Sequence, residues 1–378
     1  MTAILGIGIV AFVLFFLEKW LWQKLWNRNL YVKVEFGSSE MFQGEQGELL
    51  EVVENRKHLP LPMLKVKFQT HRNLVFADAE GSKVTDRFYR NDIFQIGGGE
   101  KITRTLKFTA KSRGYYKIMG IDLISSDLFF ATEMVESRME ECFLYVYPKC
   151  FRSEEFRQSL QKLNGEIITK RHLQEDPFEY RGIREYQPYD DMRSVNWKAT
   201  AKTGDLKVNQ KNYTSLQTIR IFFNIEDSGM LKREDAVEFS FQIAAGIAQF
   251  FLAQGIRVAM YGNGVDIMNG EPLSIEASAG SGQMDRINKA LARVDVTKPV
   301  IPFCERFGEK LLTESKGTRT MLVSPNGYAD MLALLEEYQK TDGDYVWFYP
   351  YINKDDVKLP EWVLSHVRMI SVREEAAR

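Results

Sequence analysis

The chain has 378 residues, 44% of them hydrophobic and 27% charged, with a formal net charge of -1. That balance excludes a disordered chain. Near-neutral charge without a basic stripe excludes a dedicated nucleic-acid binder, so no nucleic-acid partner is expected. Its length predicts about two or three domains. Cys142, Cys150 and Cys304 fit neither a zinc spacing nor a framework of paired bridges, and read as reduced, mostly buried thiols.

Residues 3–17, AILGIGIVAFVLFFL, carry no charge. The run falls a little short of the ~20 residues that span a bilayer, and Trp20 and Trp22 extend it, because indole rings favour the headgroup region. A cleaved signal peptide wants positive charge before its apolar run and a small-x-small site after it. Here only Met1 and Thr2 precede the run, and Glu18-Lys19-Trp20-Leu21-Trp22 follows. Residues 1–29 therefore read as one uncleaved transmembrane anchor with an interfacial segment. Lys19, Lys24 and Arg28 lie on its C-terminal side, which predicts a single-pass protein of the cell membrane with the N-terminus outside and the bulk cytoplasmic.

Residues 30–148 read as β. Alternating runs such as YVKVEF, ELLEVVEN, MLKVKFQT, KITRTLKFTA, YYKIMGIDLISS and CFLYVYP are separated by turn residues, most clearly IGGGEK at 96–101. About seven short strands predict an all-β immunoglobulin-like sandwich, although the antibody-type Cys–Trp–Cys pattern is missing. Residues 149–217 are polar and mixed, and read as a short helix followed by an extended connector.

From 218 to 378 apolar strands alternate with helices: TIRIFFNIE, a long helix stopped by Gly255, IRVAMYGNG, a helix at 280–294, TRTMLVS, ADMLALLEEYQKT and DYVWFYPY. This order predicts an α/β domain with a doubly wound sheet. The stripe Phe239, Ile243, Ile247 and Phe250 reads as core.

Catalytic signatures are lacking. His58, His71, His172 and His366 have no metal-binding spacing, no Ser sits in a G-x-S-x-G elbow, and GNG (262–264) and GSG (280–282) are short turns rather than a Walker A loop. The chain is expected neither to hydrolyse ATP nor to be an enzyme.

The densest polar cluster lies at 179–208, within the connector. It holds Arg184, Tyr186, Pro188, Asp190, Asp191, Arg193, Asn196, Trp197, Lys198, Thr200 and Lys202. Pro188 and the paired carboxylates fit a turn that opens a short helix. Salt bridges and caps stapling a connector to a sheet are one role for such a set; a rigid partner-binding surface, with the aromatics of YQPY and DPFEY, is a compatible second one.

Residues 184–202, REYQPYDDMRSVNWKATAK, closely resemble the signature of the domain of unknown function 58 family, R-x-Y-x-P-G-D-D-x-R-x-I-D-W-x-x-T-A-R. RGYYKIMGIDLISSDLFF at 113–130 resembles the family's RG-x-Y … D-P-F-G run. Tyr189 replaces the signature's Gly, Asn196 replaces its Asp before the Trp, and one membrane helix stands where many members have two. The resemblance implies a von Willebrand factor A-like (Rossmann-type) domain at 218–378. It also implies partnership with a MoxR-type AAA+ ATPase in handling client proteins. The partner-binding residues it points to are Arg184, Tyr186, Pro188, Asp190, Asp191, Arg193, Asn196, Trp197 and Thr200.

Von Willebrand A domains often bind Mg²⁺ through D-x-S-x-S at the end of the first strand. Those positions are Asn224, Glu226 and Ser228 here, and the later Asp falls at Pro325, beside Asn326. The set is degenerate, so no cofactor is expected, with Mg²⁺ kept as a minor alternative. The function that follows is a membrane-anchored, non-catalytic adaptor or co-chaperone. An envelope hydrolase using Asp190 and Asp191, or a metal-dependent adhesion-like module, are the alternatives.

Overall fold

The computed structural model describes residues 2–77, 83–84, 88–173, 175–213, 218–227, 233–313, 318–341 and 343–372. The chain divides into two compact units: Met1–Lys149 with Leu291–Arg293, and Cys150–Ala290 with Val294–Arg378.

The first unit opens with one helix, α1 (Thr2–Leu25). Its residues 4–14 are exposed, and its last turns lean on the β-structure through Phe15, Glu18, Leu21 and the buried Trp22 and Trp26, a helical i, i+3/i+4 spacing. Twelve strands follow among the described residues: β1 (Leu30–Phe36), β2 (Glu40–Phe42), β3 (Gln46–Asn55), β4 (Leu61–Thr70), β5 (Leu74–Phe76), β6 (Lys83–Val84), β7 (Phe88–Ile96), β8 (Lys101–Ala110), β9 (Gly114–Ile118), β10 (Ile121–Ser126), β11 (Glu133–Arg138) and β12 (Cys142–Tyr147). They form sheets β1-β3-β8-β5, β11-β10-β4-β7-β6 and β2-β12-β9. One core joins Leu49, Val53 and Leu106 of the first sheet to Leu64, Val66 and Phe94 of the second.

Two differences from the sequence reading have physical causes. YYKIMGIDLISS is not one strand; it breaks at Met119-Gly120 into β9 and β10, which belong to different sheets. β7 escaped notice because its alternation is inverted: Tyr89 and Ile93 face out, whereas Arg90 and Asp92 are buried with Phe94. The charges are tolerated because they pair. Arg90 Nε donates to Asp92 Oδ2 at 2.6 Å, and Arg104 Nη1 donates to Asp92 Oδ1 at 3.1 Å.

The turn at 96–101 is held by Asn55, whose Nδ2 donates to Leu59 O at 2.9 Å and Gly97 O at 2.8 Å. Gly98 lies so close to the His58 backbone that an added Cβ would overlap the His58 carbonyl. Gly98→Ala is therefore expected to lower the stability of this unit by about 1–3 kcal/mol, read by thermal melting.

The second unit contains α2 (Glu154–Leu173), β13 (Glu175–Glu185), α3 (Trp197–Thr203), β14 (Lys207–Tyr213), β15 (Thr218–Phe223), α4 (Glu234–Ala253), β16 (Arg257–Val265), β17 (Pro272–Ser278), α5 (Ser281–Arg293), α6 (Phe303–Leu312), β18 (Thr318–Val323), α7 (Ala329–Lys340), β19 (Tyr345–Tyr351), α8 (Glu361–Leu364) and β20 (Val367–Ser371). The main sheet has the order β17-β16-β15-β18-β19-β20, all neighbours parallel except the antiparallel edge strand β17. Helices cover both faces: Phe223 meets Phe241 of α4 at 4.6 Å, whereas Phe222 meets Phe303 and Phe307 of α6 at 6.2 and 6.4 Å. Both faces being buried, the strands read as apolar runs rather than alternations. Gly255, with φ 74°, follows the cap of α4 as the stop signal predicted. Phe239, Ile243 and Ile247 are core residues, but Phe250 is only half-buried and Phe251 takes the inward place.

The segment preceding this sheet is not loose. α2 is a 20-residue helix. Phe151 just ahead of it contacts Phe239 at 4.9 Å, and Phe156 contacts Phe348 at 5.7 Å. GNG (262–264) is the end of β16 rather than a turn, and GSG (280–282) opens α5.

Candidate functional site

Residues 184–202 sit at the tip of an antiparallel ribbon made by β13 and β14, with register Ile183↔Asn209, Arg184↔Val208 and Glu185↔Lys207. Between the strands the chain makes a turn at 187–190, a short 3-10 turn Met192–Ser194, and α3. Arg184 holds Asp190 with two bonds, Nη1 to Oδ2 at 2.7 Å and Nη2 to Oδ1 at 2.6 Å. Asp190 Oδ2 also accepts the Gln187 N–H at 2.8 Å, closing the turn after Pro188. The Arg184 guanidinium keeps the Asp190 carboxyl below its ordinary range. Asp191 caps the 3-10 turn, accepting the Arg193 N–H at 3.0 Å.

Asn196 caps α3. Its Oδ1 accepts the Ala199 N–H at 3.0 Å, and its Nδ2 donates to Asn209 Oδ1 on β14 at 2.6 Å. Asn serves here because a cap needs only an acceptor, while the second amide atom ties the helix to the ribbon. Thr200 Oγ1 accepts the Lys207 N–H at 3.0 Å, and Tyr186 N donates to Leu206 O at 2.9 Å. Polar members of the signature thus hold the fold of the tip. What the tip offers outward is apolar and cationic: Tyr189 is 81% exposed, Trp197 63% and Met192 53%, with Arg193 and Lys198 also exposed. The two adjacent carboxylates are each committed to their own turn.

A second feature lies at the C-terminal ends of β15 and β18. Chain order reverses there, with β16 on one side of β15 and β18 on the other, the position where open parallel sheets form a ligand crevice. A cavity of about 450 Å³ occupies it, lined by Asn224, Glu226, Cys304, Asn326, Tyr328 and Asp330 among others. Asn224 is buried and its amide is fully engaged. Its Oδ1 accepts the Glu226 N–H at 2.9 Å and Asn263 Nδ2 at 2.8 Å, and its Nδ2 donates to Ser324 Oγ at 3.3 Å. Glu226 Oε2 accepts the first amide of α6, Phe303 N–H, at 3.3 Å. Asp227 is also committed, accepting the Arg233 N–H at 2.6 Å and Tyr328 Oη at 3.3 Å.

Magnesium needs several hard oxygen ligands and a compensating negative charge. Asn224 spends its oxygen on two N–H donors, Ser228 lies outside the described residues, and Pro325 offers no side-chain oxygen. Among the described residues no three His, Cys, Asp or Glu side chains gather where they could hold a metal. The residues present do not fit a magnesium site. Cys304 is not a poised nucleophile either, because burial, reinforced by Glu226 and Asp330, pushes its thiol up to about 11. The three cysteines are free and half-buried rather than fully buried.

Neither α6 nor Tyr328 entered the sequence reading of the crevice. Phe303-Cys304 follows a proline, a pattern that opens a helix, but nothing local shows that this helix reaches the end of β15.

No curated protein matches the chain. Among solved structures it is similar to a non-cellulosomal cohesin from Archaeoglobus fulgidus, at 15% identity over 34% of this chain and 96% of that one, with a TM-score of 0.22. It is also similar to the CARDB domain of a Pyrococcus furiosus protein, at 17% identity over 32% and 93%, TM-score 0.21. A sporulation control protein from Bacillus subtilis matches at 12% identity over 42% and 58%, TM-score 0.18. Likeness at this level assigns no function. Residues 182–299, which include most of the signature ribbon, β15, α4, β16 and the strand-end residue Asn224, match the sequence model of the family described as Protein of unknown function DUF58, in support of the resemblance carried by the signature.

Proposed function

We propose that the chain is a membrane-anchored, non-catalytic adaptor whose ribbon tip docks a MoxR-type AAA+ ATPase and brings client proteins to it. α1 is its single membrane span, with the N-terminus outside and the two units in the cytoplasm. The α/β unit is similar to a von Willebrand factor A domain working without its metal. One observation carries the reading: Arg184, Asp190, Asp191, Asn196 and Thr200 are used up in fixing the tip, while Tyr189, Met192 and Trp197 are held out to solvent. A rigid apolar tip with a cationic rim has the composition of a binding hot spot. The same commitment of Asp190 and Asp191 to caps weighs against the hydrolase reading.

Affinity capture from detergent-solubilised membranes tests this. The native chain is expected to bring down the ATPase, and the double variant Tyr189→Ala/Trp197→Ala to lose at least tenfold of it, since aromatic hot spots cost about 2 kcal/mol or more. Circular dichroism of the variant should be unchanged, because neither side chain supports the ribbon. Equal recovery with both proteins would remove the tip from the interface.

A further inference from the structure

The loop joining β10 to β11 carries three consecutive exposed apolar residues, Leu128 (47%), Phe129 (59%) and Phe130 (60%). They are held rigidly. Asp127 Oδ1 accepts the Ala131 N–H at 2.7 Å, Phe130 N donates to Asp127 O at 3.1 Å, and Asp127 N donates to Thr132 O at 3.3 Å. Phe130 adopts φ 56°, a left-handed conformation that costs an aromatic residue energy, yet its ring buries little within the unit.

This loop lies against α1 well before the helix ends. Phe15 and Phe129 have ring centroids 5.7 Å apart, and Glu18 Oε1 accepts the Leu128 N–H at 2.8 Å. The contact fixes the depth. Phe15 belongs to the uncharged run 3–17, the part of the helix that suits a hydrocarbon core, and Glu18 follows that run directly. Further along, Trp22 and Trp26 are buried in the β-unit rather than free to face lipid. A loop packed on Phe15 and Glu18 therefore lies at the boundary where the apolar part of the helix ends. It also caps the one acid of the helix where lipid would otherwise surround it.

We infer that Leu128, Phe129 and Phe130 form a second membrane contact, a rigid loop inserted into the headgroup–acyl boundary beside α1. The inference rests on the reading of α1 as a membrane span.

The test uses the full chain, with its three cysteines replaced by Ser, reconstituted in phosphatidylcholine–phosphatidylglycerol vesicles. Single cysteines at Ile9, Phe129 and Met139, a residue exposed at the far end of β11, carry a polarity-sensitive fluorophore. The expected result is blue-shifted emission at Phe129, lost mostly to a nitroxide placed high on the acyl chain and little to aqueous iodide, with the reverse at Met139. A deep nitroxide should quench Ile9. If Ile9 is quenched deeply but Phe129 yields to iodide, the loop inference is overturned and the span stands. If Ile9 also yields to iodide, the span itself fails. If Phe129 is closed to iodide and to both nitroxides, a second copy of the chain covers the loop and the inference is overturned. Should the cysteine-free chain not fold, Phe129→Trp in the native chain gives the same answer through its quenching by brominated lipid in excess of the parent's.

Discussion

Replacing Glu51 by Gln is expected to stabilise the β-unit at alkaline pH and to flatten its pH dependence. Glu51 lies on β3 between the inward residues Leu49 and Val53, fully buried. Burial, together with the charge of Asp92, pushes its carboxyl up to about 8, against the pull of Arg104 and Arg90. A folded-state value above the unfolded one means that the folded chain holds a proton the unfolded chain has released. Between the ordinary carboxyl value of 4.5 and about 8 stability falls as pH rises, and above that window the whole cost is present. The cost is on the order of a few kcal/mol, at about 1.4 kcal/mol per unit of difference. Gln has the same shape and no charge to bury. Its gain should be near zero at pH 5 and about 1–3 kcal/mol at pH 8.5. Hydrogen exchange of the β3 and β8 amides in detergent, corrected for intrinsic rates, reads it. An unchanged pH slope in the variant would mean that the proton is held elsewhere.

Asn224→Asp is expected to destabilise the α/β unit by about 2–4 kcal/mol near neutral pH, and magnesium is expected not to restore it. The substitution returns the carboxylate that a metal-binding strand end would carry. It also removes the N–H donor that satisfies Ser324 Oγ, and it buries a charge beside Glu226. The amide at this position ties three strands together. It joins β15 to Asn263 on β16 and to Ser324 after β18. Thermal melts of both proteins, with and without millimolar magnesium, decide the matter. Recovery of the variant in magnesium would reveal a latent metal site and overturn the reading of a purely amide network.

Sequence patterns located the elements whose chemistry repeats locally. α4 was legible from apolar periodicity and Gly255, and β15, β18 and β19 from unbroken apolar runs bounded by turns. The capping roles of Asp191 and the turn after Pro188 were legible because caps are satisfied within a few residues. β7 was hidden because its inward face is charged, and that face is made acceptable by the Arg90–Asp92 pair and by Arg104, brought by another sheet. β17 and β20 were hidden because these edge strands are only partly buried and mix polar with apolar residues. In the crevice Asn224 and Glu226 could be named in advance. Their partners, Asn263, Ser324 and Phe303, come from three separate places in the chain, and no local pattern joins them. The ribbon tip showed the same division: its residue types were plain, but which of them face inward depends on the pairing of β13 with β14.

The buried pair Trp22 and Trp26 makes α1 and the β-unit a single mechanical piece. α1 ends at Leu25 and β1 begins at Leu30, leaving no slack in which the unit could swivel. A protease that cut the short junction at 26–29 would release a body that had lost two large aromatic side chains from its own core. Shedding at that point would therefore also unfold what it sheds. A force or torque applied to the β-unit would in turn reach α1 without being absorbed by a linker, so with α1 in a bilayer, as proposed, a partner that pulls on this protein would pull on the membrane too.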